Sequence, residues 1–569
     1  MAYHKRGKIT LYYATTALPY PDFLPLAEVG IALFDNNTDA TSAKRLKKLV
    51  FFFALLSACI IFALVMNLTS IIRPLFNGRL RAIEQYDNRA EDIQRSVLEH
   101  LLRRAADTEW GHKFQYNSLH SYEEFAAKVP ISTYEELKGY IDRMRHGEKH
   151  VLWPGQVKWY AKSSGTTNDK SKFIPVSRDC LHDTHYQGGT DAVALYLHNN
   201  PLSRLFDGKS LILGGSHAPN YNVAHSLVGD LSAILIENIN PLVNLVRIPP
   251  KKIALLSDFE EKRDRIAEIA IHKNVTNISG VPSWMMAVIT RMLEISGKQY
   301  LDEIWPNLEV FFHGGVAFTP YRDQYTHLIR SARMHYMETY NASEGFFGLQ
   351  NDPKDTAMLL MIDYGVFFEF IPLNEVGKPH PQVLPLWDVE VGHNYAIVIS
   401  TTGGLWRYQI GDTVKFTSTN PYKFTISGRT KSFINAFGEE LIVDNAEKGL
   451  HEACRQTGAV VNEYTAAPVF MNAEGKCRHQ WIVEFEKAPS DLKAFANILD
   501  EALQHINSDY EAKRHKNITL QQLELIPARK GLFNDWLKSR GKLGGQHKVP
   551  RLSNNRDIIE QLLTLNTHA

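Results

Sequence analysis

Between Ser210 and Pro320 the chain repeats one unit: a short apolar run, a turn of small residues, then a helix start. Ser210–Leu213 ends in Gly214-Gly215. Val275–Ile278 leads through Gly280 to Pro282, which opens a helix expected over Ser283–Ile295. Leu308–Phe312 ends in His313-Gly314-Gly315, and Thr319-Pro320 starts another helix, since Pro is well placed in a first helical turn. Strands alternating with helices predict a parallel, doubly wound sheet. Ligands of such sheets bind beyond the carboxyl ends of the strands. The turns at Gly214, Gly280 and Gly314 are therefore expected to converge on a site.

Upstream of this repeat lies Ser163-Ser164-Gly165-Thr166-Thr167-Asn168-Asp169-Lys170-Ser171-Lys172. It separates two predicted strands, Val157–Ala161 and Phe173–Val176, and holds almost nothing that could pack. A Gly between hydroxyl residues lets backbone N–H groups turn toward one point, where the hydroxyls and Lys170 or Lys172 add donors. That chemistry suits a polyanion such as the phosphates of a nucleotide. A solvated hairpin loop is the plainer reading of the same residues. The loop is not a Walker loop, because Asp169 stands before Lys170 where Gly is required and a strand, not a helix, follows.

A chain of 569 residues is expected to hold two or three domains. Its 44% apolar and 22% charged content is that of a globular protein, and a net charge of +1 gives no reason to expect a nucleic-acid partner. Cys59, Cys180, Cys454 and Cys477 form no Cys-x-x-Cys pair, which argues against a zinc site or disulfide framework and for a reducing compartment. The first 66 residues stand apart as an extension. Within it, the 18 residues from Leu49 to Met66 carry Ser57 as their single polar side chain, just enough to span a bilayer, where about 20 are needed. The basic cluster Lys44–Lys48 would keep the N-terminus in the cytoplasm if the segment inserts.

After Asn67 the pattern becomes amphipathic, with Val97, Leu98, Leu101 and Leu102 at helical spacing and short helices continuing to His146. Ser177 reads as the cap of a helix running to about Leu197. Beyond Tyr340 the chain is β-rich, with strands expected in Thr356–Pro372, Tyr395–Ser400 and Trp406–Ser418. Gly428-Arg429-Thr430-Lys431 is polar, turn-like and a candidate hinge. A smaller α/β unit follows, with helices near Ala446–Thr457 and Ser490–Asn507 and strands near Val460 and Trp481. Lys542–Arg551 reads as a flexible basic loop.

Four further segments carry chemistry. In Tyr340-Asn341-Ala342-Ser343-Glu344-Gly345, an aromatic can stack on a base and a carboxylate can hold Mg2+ between phosphate oxygens; a surface Glu at a strand-end turn is the commoner use of such a segment. In Arg407-Tyr408-Gln409-Ile410-Gly411-Asp412, the Asp after a Gly turn is a natural acceptor for two ribose hydroxyls, or simply part of the turn. Arg429 is either a nucleotide ligand or a surface cation. Lys548, in Gln546-His547-Lys548-Val549-Pro550-Arg551, is a mobile catalytic cation or part of a solvated basic stretch.

Ser-Ser-Gly-Thr-Thr with the following Ser-Lys-Phe-Ile-Pro, Tyr340-x-x-Ser343-Glu344, the Gly411-Asp412 segment and Gln546-x-Lys548-x-Pro550-Arg551 occur in the order seen in the Gretchen Hagen acyl acid amido synthetases. The chain resembles that family over nearly all its length after Met66, within the wider adenylate-forming superfamily of acyl-CoA synthetases, peptide-synthetase adenylation domains and luciferases. One departure is Arg407-Tyr408, where the family motif has Tyr before Arg; Asp412 fits. The resemblance implies an α/β fold with a large domain over 67–428, combining doubly wound sheets and a β-rich part, and a smaller mobile α+β domain over 429–569. It implies ATP and Mg2+ as cofactors. Ser163, Ser164, Gly165, Thr166, Thr167, Lys170 and Lys172 would hold the phosphates, and Gly314, Tyr340, Ser343, Asp412 and Arg429 the rest of the nucleotide. Glu344 would face the metal, and Lys548 would bridge the acid carboxylate and the α-phosphate.

The implied activity is adenylation of a carboxylic acid followed by amide formation with an amine, expected to be an amino acid, in a monomer. An acyl-CoA synthetase and a membrane-tethered nucleotide-binding protein without turnover are the alternatives. A real span at 49–66 would put an ATP-consuming domain on the wrong side of the membrane. Translation from Met66 and a cytoplasmic protein are therefore expected, with membrane association only if the segment is genuine.

Overall fold

The computed structural model describes residues 68–163, 172–315, 318–430, 433–434, 439, 441–469, 477–507, 510–511, 514, 520–540, 549–553 and 555–567. From Leu68 onward they form one compact unit. Among the described residues no helix is long and apolar enough to cross a membrane; the apolar stretch 49–66 lies outside them.

Helix α1 (Tyr86–Ala105) places Leu98, Leu101 and Leu102 in the core, as their spacing predicts. Helix α2 (Tyr134–Arg145) begins on a capping box made by Thr133 and Glu136. Strands β1 (Trp159–Ser163) and β2 (Lys172–Val176) form the predicted hairpin, with Ser163 opposite Lys172, and β4 (Leu227–Gly229) completes that small sheet. Ser177 caps as expected, its Oγ accepting from the Cys180 N–H at 2.9 Å. The helix it starts passes through a π-helical turn, Cys180–Tyr186, before regular α3 (Gln187–Asn199).

Among the described residues the main sheet has twelve strands. Strands β3 (Lys209–Ile212), β5 (Arg247–Ile248), β6 (Val275–Gly280), β7 (Val310–Gly314) and β8 (His335–Ala342) pair in parallel, in the order β5-β3-β6-β7-β8. Helices α4 (Phe259–Ala270), α5 (Pro282–Ser296) and α6 (Thr319–Leu328) connect or flank these strands. At β8 the sheet changes character. Strand β9 (Gly345–Leu349) returns antiparallel, and antiparallel pairing continues through β10 (Met358–Leu360), β15 (Tyr422–Arg429), β14 (Tyr408–Thr419), β13 (Asn394–Thr401) and β11 (Val366–Pro372) to β12 (Leu384–Pro385). The doubly wound part and the β-rich part are thus halves of one sheet, and β8 is their seam.

Past residue 429 lie the short pair β16 (Phe433–Ile434) and β17 (Leu441–Ile442), helix α7 (Val443–Thr457), strands β18 (Val460–Val469) and β19 (Arg478–Lys487), helix α8 (Leu492–Ile506) and strand β20 (Glu524–Ala528). Among the described residues, the apolar clusters of this region share no member with those up to Phe424.

Several expectations need correction. Gly428 and Arg429 are not in a turn: they end β15 and pair with Thr413 and Asp412. Gly411-Asp412 is not a turn between strands but a bulge inside β14, where the register slips against Ala396 and Val398 and Gly411 takes φ +90°, a conformation suited to glycine. The helix read from Ser490 is capped one residue later, by Asp491 accepting from the N–H groups of Lys493 and Ala494. Val549–Arg551 is not loose. Val549 is buried, and the Arg551 carbonyl accepts from Ala466 N–H at 2.8 Å, so this piece lies along β18. The Gly214 turn does not join the site: Lys262 Nζ from α4 donates to the carbonyls of Gly214 and Gly215 at 2.7 and 2.9 Å and fastens it.

Candidate active site

A cleft of about 1400 Å³ opens beyond the carboxyl ends of β7 and β8. Its lining includes Ser163, Lys172, Tyr340, Ser343, Glu344, Asp412 and Arg429, brought together from β1, β2, β8, the turn after it, β14 and β15. Seven residues separated by up to 266 positions in the chain therefore share one wall.

Tyr340 lies within β8, not after it, and Ser343-Glu344 is the two-residue turn into β9. The Tyr340 ring packs edge-on to Phe347 and Phe424, at 5.1 and 6.0 Å between centroids, which leaves it little rotational freedom. Its hydroxyl donates to Asp412 Oδ2 at 2.7 Å, and the half-exposed Arg429 donates from Nε to Asp412 Oδ1 at 3.0 Å. The β14 bulge aims Asp412 at this junction. Both carboxylate oxygens of Asp412 are thus oriented from opposite sides by a phenol and a guanidinium.

Glu344 is buried. Burial pushes its carboxyl above the usual carboxylate range, the nearby Lys172 ammonium opposes that shift, and Asp412 adds to it. Lys172 Nζ donates to Tyr408 Oη at 3.4 Å and lies 5.8 Å from the Tyr134 ring centroid. Ser163 and Lys172 are paired between β1 and β2, and both line the cleft. Ser164, Gly165, Thr166, Thr167 and Lys170 lie outside the described residues, as does Lys548.

Gly314 is placed differently from expectation. It ends β7 beside Thr339, and a Cβ there would meet the Thr339 carbonyl oxygen at 2.3 Å; it makes room for a strand, while its neighbour Gly315 lines the cleft at φ +79°. Arg407, the reordered member of its motif, faces away altogether. It forms a buried ion pair with Glu369, Nη2 to Oε1 2.8 Å, and donates to the carbonyls of Ala126 and Val129.

Mg2+ needs oxygen ligands, and it keeps several waters while using one or two carboxylates plus substrate phosphates. Among the described residues no three His, Cys, Asp or Glu side chains are grouped to hold a metal. Glu344 alone, with a lysine beside it to favour ionisation, fits a metal completed by phosphate oxygens.

The opposite wall was not foreseen from sequence. Arg551 lies over the Tyr464 ring at 4.6 Å, pairs closely with Glu463, and approaches Glu447 on α7 at 3.8 Å. Glu447 in turn accepts from the Tyr464 hydroxyl at 2.9 Å. Three charged residues spread over about 100 positions give no local pattern, and only the fold joins them. His313, Arg322 and Glu338 also line the cleft and were likewise missed. For Glu338 the signal available was its position two before Tyr340 on the same strand, which puts both on one face.

Comparison with known proteins finds three family models in order along the chain: the GH3 family N-terminal domain over residues 79–334, the central domain over 359–429 and the C-terminal domain over 444–557. Among curated relatives, the indole-3-acetic acid-amido synthetase GH3.3 of Arabidopsis thaliana is 25% identical, covering 85% of this chain and 93% of its own length. The indole-3-acetic acid-amido synthetase GH3.8 of Oryza sativa subsp. indica is also 25% identical, with coverage of 85% and 92%. Among solved structures, the GH3.15 acyl acid amido synthetase superposes with TM-score 0.68 at 20% identity, covering 86% of this chain and 95% of the other. A 2-hydroxyisobutyryl-CoA ligase in its postadenylation state gives 0.53 at 12% identity, with coverage of 85% and 94%.

Proposed function

We propose, from the premise that the chain belongs to the GH3 family, that it is an AMP-forming acid–amino acid ligase whose site is the cleft at the seam of the sheet. The observation that carries the assignment of the site is the chain Tyr340–Asp412–Arg429 set beside Glu344 and Lys172 on one wall.

A carboxylate is a poor electrophile, and ATP activates it. One oxygen of the acid attacks the α-phosphorus, the bond to the bridging oxygen of pyrophosphate breaks, and an acyl-adenylate forms. The amine nitrogen then attacks the acyl carbon, AMP leaves with the bonding electrons, and the nitrogen loses a proton to give the amide. Negative charge redistributes over phosphate oxygens in the first step, so preorganised donors contribute most. Ser163, Ser164, Gly165, Thr166 and Thr167, with Lys170 or Lys172, cradle the β and γ phosphates. Tyr340 lies along the adenine, Asp412 accepts from the ribose hydroxyls, and Arg429 orients Asp412. Ser343 borders the phosphates beside Glu344. Glu344 would hold Mg2+, which would supply charge neutralisation to the triphosphate. Lys548 acts at the α-phosphate and is presented by the domain over 429–569 as it closes on that over 67–428. The reading includes a monomeric enzyme working in the cytoplasm, where ATP is supplied.

The test is a screen of carboxylic acids crossed with amino acids, reading pyrophosphate release and amide product. Acid-dependent pyrophosphate release with amide formed only in the presence of an amino acid is expected. Release that yields a thioester with coenzyme A and no amide would make this an acyl-CoA synthetase. No acid-dependent release by folded protein would overturn the enzymatic reading.

A further inference from the structure

Strands β3 and β5 begin at a surface that the scheme above does not use. Among the described residues six large apolar side chains are more than half exposed, and five of them, Ile71, Leu75, Leu202, Leu242 and Leu245, belong to three segments here. Leu75 is 80% and Leu202 94% exposed. Exposed leucines scattered singly are ordinary, but a cluster of them marks an interaction surface. Hydrogen bonds cluster these. The Arg73 guanidinium donates to the carbonyls of Asn200 and Pro201 at 3.1 and 2.9 Å, which sets Leu202 beside the helix Leu68–Ile72 and the turn Arg73–Phe76. The Thr69 hydroxyl accepts from Phe206 N–H at 2.9 Å, and the Phe76 and Phe206 rings stack at 6.3 Å. Lys209 Nζ donates to the Leu245 carbonyl at 2.7 Å, and Ser210 is paired with Arg247. The backbone of the three segments is thus fastened together while their leucines stay exposed.

Charge and chain continuity say what covers this face. In a chain of net charge +1, Asp207 is the single acidic residue within 68–81, 197–209 and 240–252. Arg81, Arg204 and Lys252 are exposed there, and Lys209 is half-buried. A cationic rim around leucines attracts anionic lipid headgroups, and it repels the same face of a second copy. The apolar stretch 49–66, with Lys44–Lys48 before it, joins the chain one residue before Leu68. Ser57 is the single polar side chain of that stretch, so it offers water no polar side. We propose that the face formed by 68–76, 200–206 and 242–246 docks on the anionic surface of a lipid bilayer.

The topology makes such docking compatible with catalysis. Strands β5, β3, β6, β7 and β8 all run in the same direction. The leucines precede the amino ends of β3 and β5, whereas the cleft opens beyond the carboxyl ends of β7 and β8. The two surfaces therefore lie at opposite ends of the sheet, and a docked protein keeps its cleft open to solvent. Docking also leaves the domain on the side of the membrane that holds ATP, which a crossing at 49–66 would not.

The test uses the full chain and vesicles of phosphatidylcholine, with and without about one third phosphatidylglycerol. Sedimentation with the anionic vesicles is expected to be at least about tenfold stronger than with the neutral ones, and to weaken as salt rises. On the bound protein, amide hydrogen exchange should slow in 68–76, 200–206 and 242–246 and stay unchanged in β7 and β8. L75E/L202E places carboxylates where the side chains already meet water, so it should remove that protection without shifting the unfolding midpoint. R204E/K252E should weaken sedimentation with anionic vesicles about tenfold and leave that with neutral vesicles unchanged. Full-length protein that stays in solution with anionic vesicles would overturn the proposal. So would sedimentation without protection of the three segments, which would leave membrane binding to 49–66 alone. Protection that appears without vesicles and grows with protein concentration, with a doubled mass by light scattering, would give the face to a second copy instead.

Discussion

Strand β14 joins two guanidinium–carboxylate pairs with opposite fates. At its start, Arg407 is 5% exposed and Glu369 fully buried; every donor direction of the guanidinium that the pair uses ends on a carboxylate or a backbone carbonyl, and the Tyr122 hydroxyl donates to Glu369 at 3.1 Å. Five residues on, Asp412 pairs with an Arg429 that is half exposed, and both line the cleft. The first pair ties the helices before α2 to the antiparallel half of the sheet. The second leaves lone pairs and N–H groups free to be re-used by a ligand. The same two functional groups therefore serve architecture or chemistry according to whether their bonding capacity is exhausted inside the fold.

The largest expected effect breaks the first pair. R407A leaves the Glu369 carboxylate buried with Tyr122 as its remaining side-chain partner, a loss of about 3–5 kcal/mol measurable by urea unfolding. A variant within about 1 kcal/mol of wild type would mean that water reaches Glu369 and the pair is no lock.

Next in size is K548A, expected to fold and bind ATP normally while adenylate formation falls about a hundredfold, as for removal of one preorganised donor to developing charge. Normal pyrophosphate exchange with slowed amide release would give Lys548 a role in the second step instead.

Breaking the second pair should cost activity rather than stability. D412A or E344A is expected to reduce acid-dependent pyrophosphate exchange at least about tenfold, or about 1.4 kcal/mol in the barrier, with an unfolding midpoint near wild type. Loss of stability comparable to R407A in D412A would erase the contrast between the pairs.

The smallest effect concerns pH. The Glu338 carboxyl, raised to about 7, binds its proton more tightly in the folded than in the unfolded chain. Its contribution therefore makes stability fall as pH rises from the usual carboxylate range through about 7. E338Q removes that dependence. It should be more stable than wild type by about 1 kcal/mol at pH 8 in the absence of nucleotide, with the difference shrinking as pH falls from about 7 into the usual carboxylate range, as read from paired thermal melts.

The sequence exposed elements well where a local rule governs them. The Ser163–Lys172 loop between two strands, the Ser177 cap and the Pro282 and Thr319 helix starts all follow from turn chemistry, capping or period. It misled where pairing with a distant strand overrides local appearance. Gly411-Asp412 and Gly428-Arg429 look like turns because Gly and charged residues usually break strands, yet each lies in a strand and pairs with the other. Gly214 looks like its counterparts at Gly280 and Gly314, but a lysine 48 residues away closes it off.

What the sequence by itself determined is the order of the motifs that resemble the family's, and the alternation that calls for a parallel sheet, because each depends on residues within one turn or one strand. What only the tertiary structure decided is which polar groups remain available. Arg407 and Arg429 are chemically identical, as are Glu369, Glu344 and Glu338. Their difference lies in burial and in partners contributed by segments tens to hundreds of residues away, and those exist only once β8 has become the seam between the two halves of the sheet.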